Sequence, residues 1–130
     1  MQFLIHGAVQ PEATAALVRH EHVCHTPAEL TGDAAEIAAA GPQAFLELLT
    51  ARQWQLVTTD AALVRAVYEQ KLAFSGIIVM MLDDPEKPGG QGGAVDRLFE
   101  RYHRLMPGRL YTITPSLVKI RQLPGGHSQS

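Results

Sequence analysis

The hydrophobic period changes repeatedly along the first half of the chain. Phe3-Leu4-Ile5 is a short, continuous apolar run that stops at His6-Gly7, which predicts a buried first strand. Pro11 suits a helical first turn, and Ala13, Ala16, Leu17 and His20 recur at helical spacing, so a helix is expected over residues 11–20. His22-Val23-Cys24-His25 predicts a second strand. Thr26-Pro27-Ala28-Glu29 fits a helix start, with Thr26 as cap and Glu29 reaching back to it. The alanine-rich residues 34–40 predict a short helix capped by Asp33 and ended by Gly41. Pro42 then opens another, with Phe45, Leu48 and Leu49 as its apolar stripe. Gln55-Leu56-Val57-Thr58-Thr59 predicts a third strand. Asp60 follows as the cap of a helix carrying Leu63, Val64, Val67 and Tyr68.

Residues 76–82 are apolar at every position after Gly76, the mark of a strand buried on both faces at the centre of a parallel sheet. Residues 83–93 contain two prolines and four glycines and read as a flexible loop. A helix is expected near residues 95–105, carrying Leu98, Phe99 and Tyr102. Residues 110–113 and 117–120 read as two strands of a hairpin turned at Thr114-Pro115-Ser116. Strands alternating with helices imply an α/β fold, its parallel sheet wound with right-handed crossovers. The expected organisation is one domain over residues 1–123, with a flexible tail at 124–130.

Composition narrows the function classes. Hydrophobic residues make up 46% and charged residues 18%, which is globular rather than disordered. A formal net charge of −2 argues against a polybasic nucleic-acid binder and leaves only a local basic face, for which Arg97, Arg101 and Arg104 have helical spacing. The single cysteine, Cys24, excludes an internal disulfide and a Cys-rich zinc module. No apolar run approaches the roughly 18 residues of a membrane helix, and the N-terminus does not read as a signal peptide. A cytoplasmic protein without membrane contact is expected.

In open parallel sheets, ligands bind at the carboxyl ends of the strands where strand order reverses. The first strand delivers His6, the third Thr58, Thr59 and Asp60, and the fourth Asp83 and Asp84. Carboxylates with an imidazole suit a divalent cation, Mg²⁺ or Mn²⁺. Each also has a structural role open to it: Asp60 as helix cap, His6 as partner of a strand-end polar group, Asp83 as turn opener. His20, His22, Cys24 and His25 lack the spacing and the second ligand pair of a zinc site. The glycines at 89–93 lack the Gly-Lys-Ser/Thr ending of a phosphate loop, and no Gly-x-Ser-x-Gly elbow occurs.

Several segments, in this order, resemble the small stand-alone PIN-like domains of bacteria. Met1-Gln2-Phe3-Leu4-Ile5-His6 is similar to their opening strand, and Leu56-Val57-Thr58-Thr59-Asp60 to their strand running into Thr-x-Asp. Gly76-Ile77-Ile78-Val79 is similar to the strand that follows. Arg109-Leu110-Tyr111-Thr112-Ile113-Thr114-Pro115 with Leu117-Val118-Lys119-Ile120-Arg121 resembles the closing hairpin of one branch. The resemblance implies a three-layer α/β/α fold with a mostly parallel central sheet and a C-terminal β-hairpin. It also implies kinship with Mg²⁺- or Mn²⁺-dependent ribonucleases, often the toxin half of toxin–antitoxin pairs, whose three or four acids hold metal that activates water.

Carried over residue by residue, the resemblance makes Asp60 the late acid, with Thr58 and Thr59 as the polar residues before it. The first-strand acid falls at His6, the mid-chain acid at Pro42 or Gln43, and the second acid after Thr-x-Asp at Ala62. Asp33, Glu36, Glu47 or Asp83 would have to substitute. The resemblance thus implies catalytic roles for Asp60, His6 and Thr59 and metal ligands at Asp60, His6 and Asp83, in a degenerate site. The expected function is a binding module with a second copy, an antitoxin-like protein or RNA as partner. The alternative is a divergent Mg²⁺/Mn²⁺ ribonuclease using Asp60, His6 and a substitute carboxylate.

Overall fold

The computed structural model describes residues 1–31, 34–82 and 90–124. Strand β1 (Gln2–His6) leads into helix α1 (Pro11–Arg19), followed by β2 (Val23–His25), α2 (Ala28–Thr31) and α3 (Ala34–Arg52). Then come β3 (Gln55–Thr58), α4 (Ala61–Glu69), β4 (Ile77–Met81), α5 (Gly90–Arg101), β5 (Arg109–Thr114) and β6 (Leu117–Gln122). One sheet runs β2-β1-β3-β4-β5-β6, parallel from β2 to β5, with β6 antiparallel to β5. This is an α/β architecture with helices on both faces. Among the described residues no helix is long and apolar enough to cross a membrane.

The pleat sorts the apolar residues into two cores. Phe3, Val57, Ile77, Val79, Met81, Tyr111 and Ile113 meet α1 and α5 on one face. Leu4, Leu56, Ile78 and Leu110 meet α3 and α4 on the other. Neighbouring residues of one strand therefore serve opposite cores, which is why β4 is apolar throughout.

Local signals place several boundaries as the sequence suggests. The Glu29 carboxylate accepts from the Thr26 backbone N–H at 2.6 Å, one half of a capping box. α3 is two helical segments broken at Gly41, whose φ of +85° is left-handed, with Pro42 restarting the helix. The β5–β6 hairpin also lies where the sequence puts it.

Three expectations are corrected. First, α5 begins at Gly90, so part of the expected glycine loop is helix, and it ends at Arg101 rather than near 105. The buried Gln91 side chain accepts from the Gln10 N–H at 2.6 Å and donates to the Ala8 carbonyl at 3.3 Å, pinning the start of α5 to the β1–α1 loop. At Gly92 a Cβ would come within 3.2 Å of the Glu12 carbonyl, so the glycine lets α1 and α5 approach closely. These tertiary contacts override glycine's poor helix propensity.

Second, Arg104 lies beyond the end of α5, and Arg97 donates to the Pro115 carbonyl at 2.7 Å, so the three arginines do not form one helical ridge. Third, the winding is not of one hand. β3, β4 and β5 step across the sheet in one direction, yet α4 crosses on one face and α5 on the other. The β4–α5–β5 unit therefore has the opposite hand to β1–α1–β2 and β3–α4–β4, against the usual rule. Placing α5 beside α1 covers the β3–β5 half of its face, at about 1.5–3 kcal/mol for each large aliphatic side chain buried.

The expected flexible tail lies, from residue 125 onward, outside the described residues.

Candidate functional site

Strand order reverses at β1 and β3, because α1 leaves β1 for one face and α4 leaves β3 for the other. In the β1–β3 register His6 is the partner of Thr58, and both side chains belong to the α3/α4 face by the parity of Leu4 and Leu56. Thr58 is fully buried. Its Oγ1 lies 2.9 Å from His6 Nδ1 and accepts from the Asp60 backbone N–H, also at 2.9 Å. The amide is a donor only. Nδ1 is the one acceptor that meets this buried hydroxyl among the described residues, so a hydroxyl that donates its own proton assigns Nδ1 as acceptor and the ring proton to Nε2.

Asp60 caps α4: its Oδ1 accepts from the Ala62 and Leu63 backbone N–H groups at 3.0 and 3.2 Å. The capping role and a place in the crevice coexist, because its Oδ2 has no hydrogen-bond partner among the described residues. Thr59 does something different from its neighbour. Its Oγ1 accepts from the Ala8 N–H at 2.7 Å and ties the β1–α1 loop to the β3–α4 turn. Gly7 has φ +83°, and a Cβ there would meet Thr59 Oγ1 at 2.6 Å, so only glycine allows this closure.

His6 and Asp60 line one cavity of about 340 Å³. Its other walls are Gly41, Pro42, Phe45, Ala62, Leu63 and Ala66. The Phe45 ring lies 5.2 Å from the His6 ring, centroid to centroid. Burial holds the His6 pKa below its usual 6.5, and the Asp60 charge pulls partly the other way. His6 is therefore a neutral imidazole near pH 7. Phe45, Leu63 and Ala66 carry no sequence signal of a cavity wall; the stripes that hold them have the spacing of an ordinary core face.

Of the positions where the resemblance expects metal-holding acids, His6, Asp60, Ala62 and Pro42 line the cavity, while Gln43, the other placement of the mid-chain acid, lines a separate depression. Asp60 is the single carboxylate among them. Glu47 is exposed, accepts from the Gln43 side chain at 3.3 Å and lines a separate depression with Thr50 and Phe74. Asp33, Asp83, Asp84 and the side chain of Glu36 lie outside the described residues.

Among the described residues no group of three or more His, Cys, Asp or Glu side chains is arranged to hold a metal. Mg²⁺ asks for several hard oxygens, and Mn²⁺ for oxygens with imidazole. Among the described residues the cavity offers one carboxylate, with an oxygen already spent on a helix cap, and one imidazole, fewer hard oxygens than either ion asks for.

The His20–His25 segment is spread over separate roles. His20 Nε2 meets Asp96 Oδ1 at 3.0 Å, and Asp96 also pairs with Arg19. His22 Nδ1 meets the N-terminal amine at 3.2 Å. His25 stacks on Trp54 at 3.9 Å and bonds to Glu29 and Gln2. Cys24 faces the Thr14 carbonyl at 4.0 Å, and burial raises its thiol pKa.

No family model, no curated protein and no solved structure matches this chain.

Proposed function

We propose that the chain is a PIN-like domain whose metal-nuclease site is degenerate, and that it acts in the cytoplasm as a binding module rather than as a ribonuclease. One observation carries this reading. His6, Asp60, Ala62 and Pro42, the last being one of the two placements of the mid-chain acid, line a single cavity at the sheet's switch point, and only Asp60 among them is acidic. A single carboxylate neither assembles a metal pair nor neutralises charge on a phosphorane-like transition state. His6, in the place of the first-strand acid, is held neutral with Nδ1 committed to Thr58. The macromolecular partners on this reading are a second copy, an antitoxin-like protein, or RNA bound without cleavage.

The test is incubation of single-stranded RNA with the full chain and Mn²⁺ or Mg²⁺. The expected result is no cleavage above the metal-only control, unchanged in Asp60→Ala. Cleavage that depends on Mn²⁺ and disappears in Asp60→Ala would establish the divergent ribonuclease instead.

A further inference from the structure

We infer that the His6–Asp60 cavity binds a small, uncharged amino-heterocycle of nucleoside size. The inference rests on the reading that this notch binds rather than cleaves, and it names the chemistry of what is bound.

Two polar atoms on residues that line the cavity have no hydrogen-bond partner among the described residues. Asp60 Oδ1 is spent on the α4 amides, so Oδ2 is the acceptor on offer. His6 Nδ1 is spent on Thr58, and Nε2 has no partner among the described residues, so its N–H is the donor on offer. The remaining walls include Pro42, Phe45 and Leu63, with Phe45 close enough to the imidazole to form an aromatic corner. About 340 Å³ lies in the range of pockets that enclose a small organic molecule, and an apolar lining with a few placed polar groups is their usual make-up.

The complementary ligand carries a donor beside an acceptor on a flat, weakly polar body. An exocyclic amine next to a ring nitrogen, as on adenine or cytosine, has that pattern: the amine donates to Asp60 and the ring nitrogen accepts from His6. Among the described residues no Lys or Arg lines the cavity, and its one charged side chain is a carboxylate. A phosphate group is therefore repelled, which favours the nucleoside over the nucleotide.

Ligand-observed NMR on the full chain tests this with three probes: adenosine, purine riboside (which lacks the amine) and adenosine monophosphate. Adenosine is expected to bind at least about tenfold more tightly than either, since each of the others loses a hydrogen bond or gains a like-charge contact worth about 1.4 kcal/mol or more. Asp60→Asn keeps a good helix cap but presents an NH₂ to the amine, and is expected to abolish the preference. Equal binding of all three probes, binding unaffected by Asp60→Asn, or no binding at all would overturn the inference. If RNA is not cleaved and adenosine does not bind, only the ligand assignment fails. If RNA is cleaved with Mn²⁺, the underlying reading fails first.

Discussion

Thr58 holds both polar residues of the cavity with a single oxygen. Replacing it with the isosteric valine leaves the part-buried Asp60 N–H and His6 Nδ1 without their shared partner. The expected cost is about 1–3 kcal/mol of unfolding free energy, read from urea denaturation, with Thr58→Ser recovering most of it because the hydroxyl is kept. His6 gives the fold a pH dependence of defined sign. Its folded pKa lies below 6.5, chiefly through burial, so the unfolded chain takes up a proton first as the solution is acidified. Its contribution to stability is complete above pH 6.5 and is lost as pH falls from there toward the folded pKa. His22 shifts in the same direction for the same leading reason and adds to the slope. His6→Gln is therefore expected to flatten, but not remove, the loss of stability between pH 6.5 and the lower pKa, followed as urea midpoints against pH. An unchanged slope would show that His6 does not titrate in a buried setting.

At the scale of elements, the two glycines that follow Gln91 in α5 separate packing from propensity. Gly92 sits against the backbone of α1, where a Cβ would already come within 3.2 Å of the Glu12 carbonyl. Gly93 is also helical, but a Cβ added there would meet nothing within 4 Å. Gly92→Val is therefore expected to destabilise by about 1–3 kcal/mol through forced separation of the two helices. Gly93→Ala is expected to stabilise by about 0.5–1 kcal/mol through helix propensity and reduced freedom of the unfolded chain. Thermal or urea unfolding of the two variants checks both signs. The pair also explains why this element is hard to read in the sequence. Glycines at 92 and 93 signal a loop by local rules, and the residues that anchor this turn of helix, Gln10 and Glu12, are some eighty residues away. The start of α4 is legible for the opposite reason: the Asp60 cap is made within its own first turn.

For the whole molecule, the strand–helix alternation and the two-sided core are legible because the period of apolar residues is a local property. Met81 and Ile113 each show it, lying on the α5 side of the sheet two residues along from Val79 and Tyr111. The order of strands is not legible. Parallel neighbours such as β1 and β3 are joined through β2 and α3, and nothing in either strand names the other. The reversed hand of the β4–α5–β5 crossover is likewise hidden, since it follows from which face needs cover. For the site, His6, Asp60 and the Thr58-Thr59 pair are nameable as strand ends. Their convergence with Pro42 and Ala62 needs the fold, and the division of labour between Thr58 and Thr59 needs the hydrogen bonds.

The convergence of positions 6, 42, 60 and 62 on one cavity gives the account its most direct test. Mn²⁺ is titrated into the full chain and into a His6→Asp/Ala62→Asp variant, and paramagnetic broadening of the Leu63 amide signal is followed by NMR. No saturable broadening is expected in the parent chain. Saturable broadening is expected in the variant, where three carboxylates would face one another. Saturable broadening in the parent that is lost in Asp60→Asn would contradict it, because the site would then hold a metal with the residues it already has.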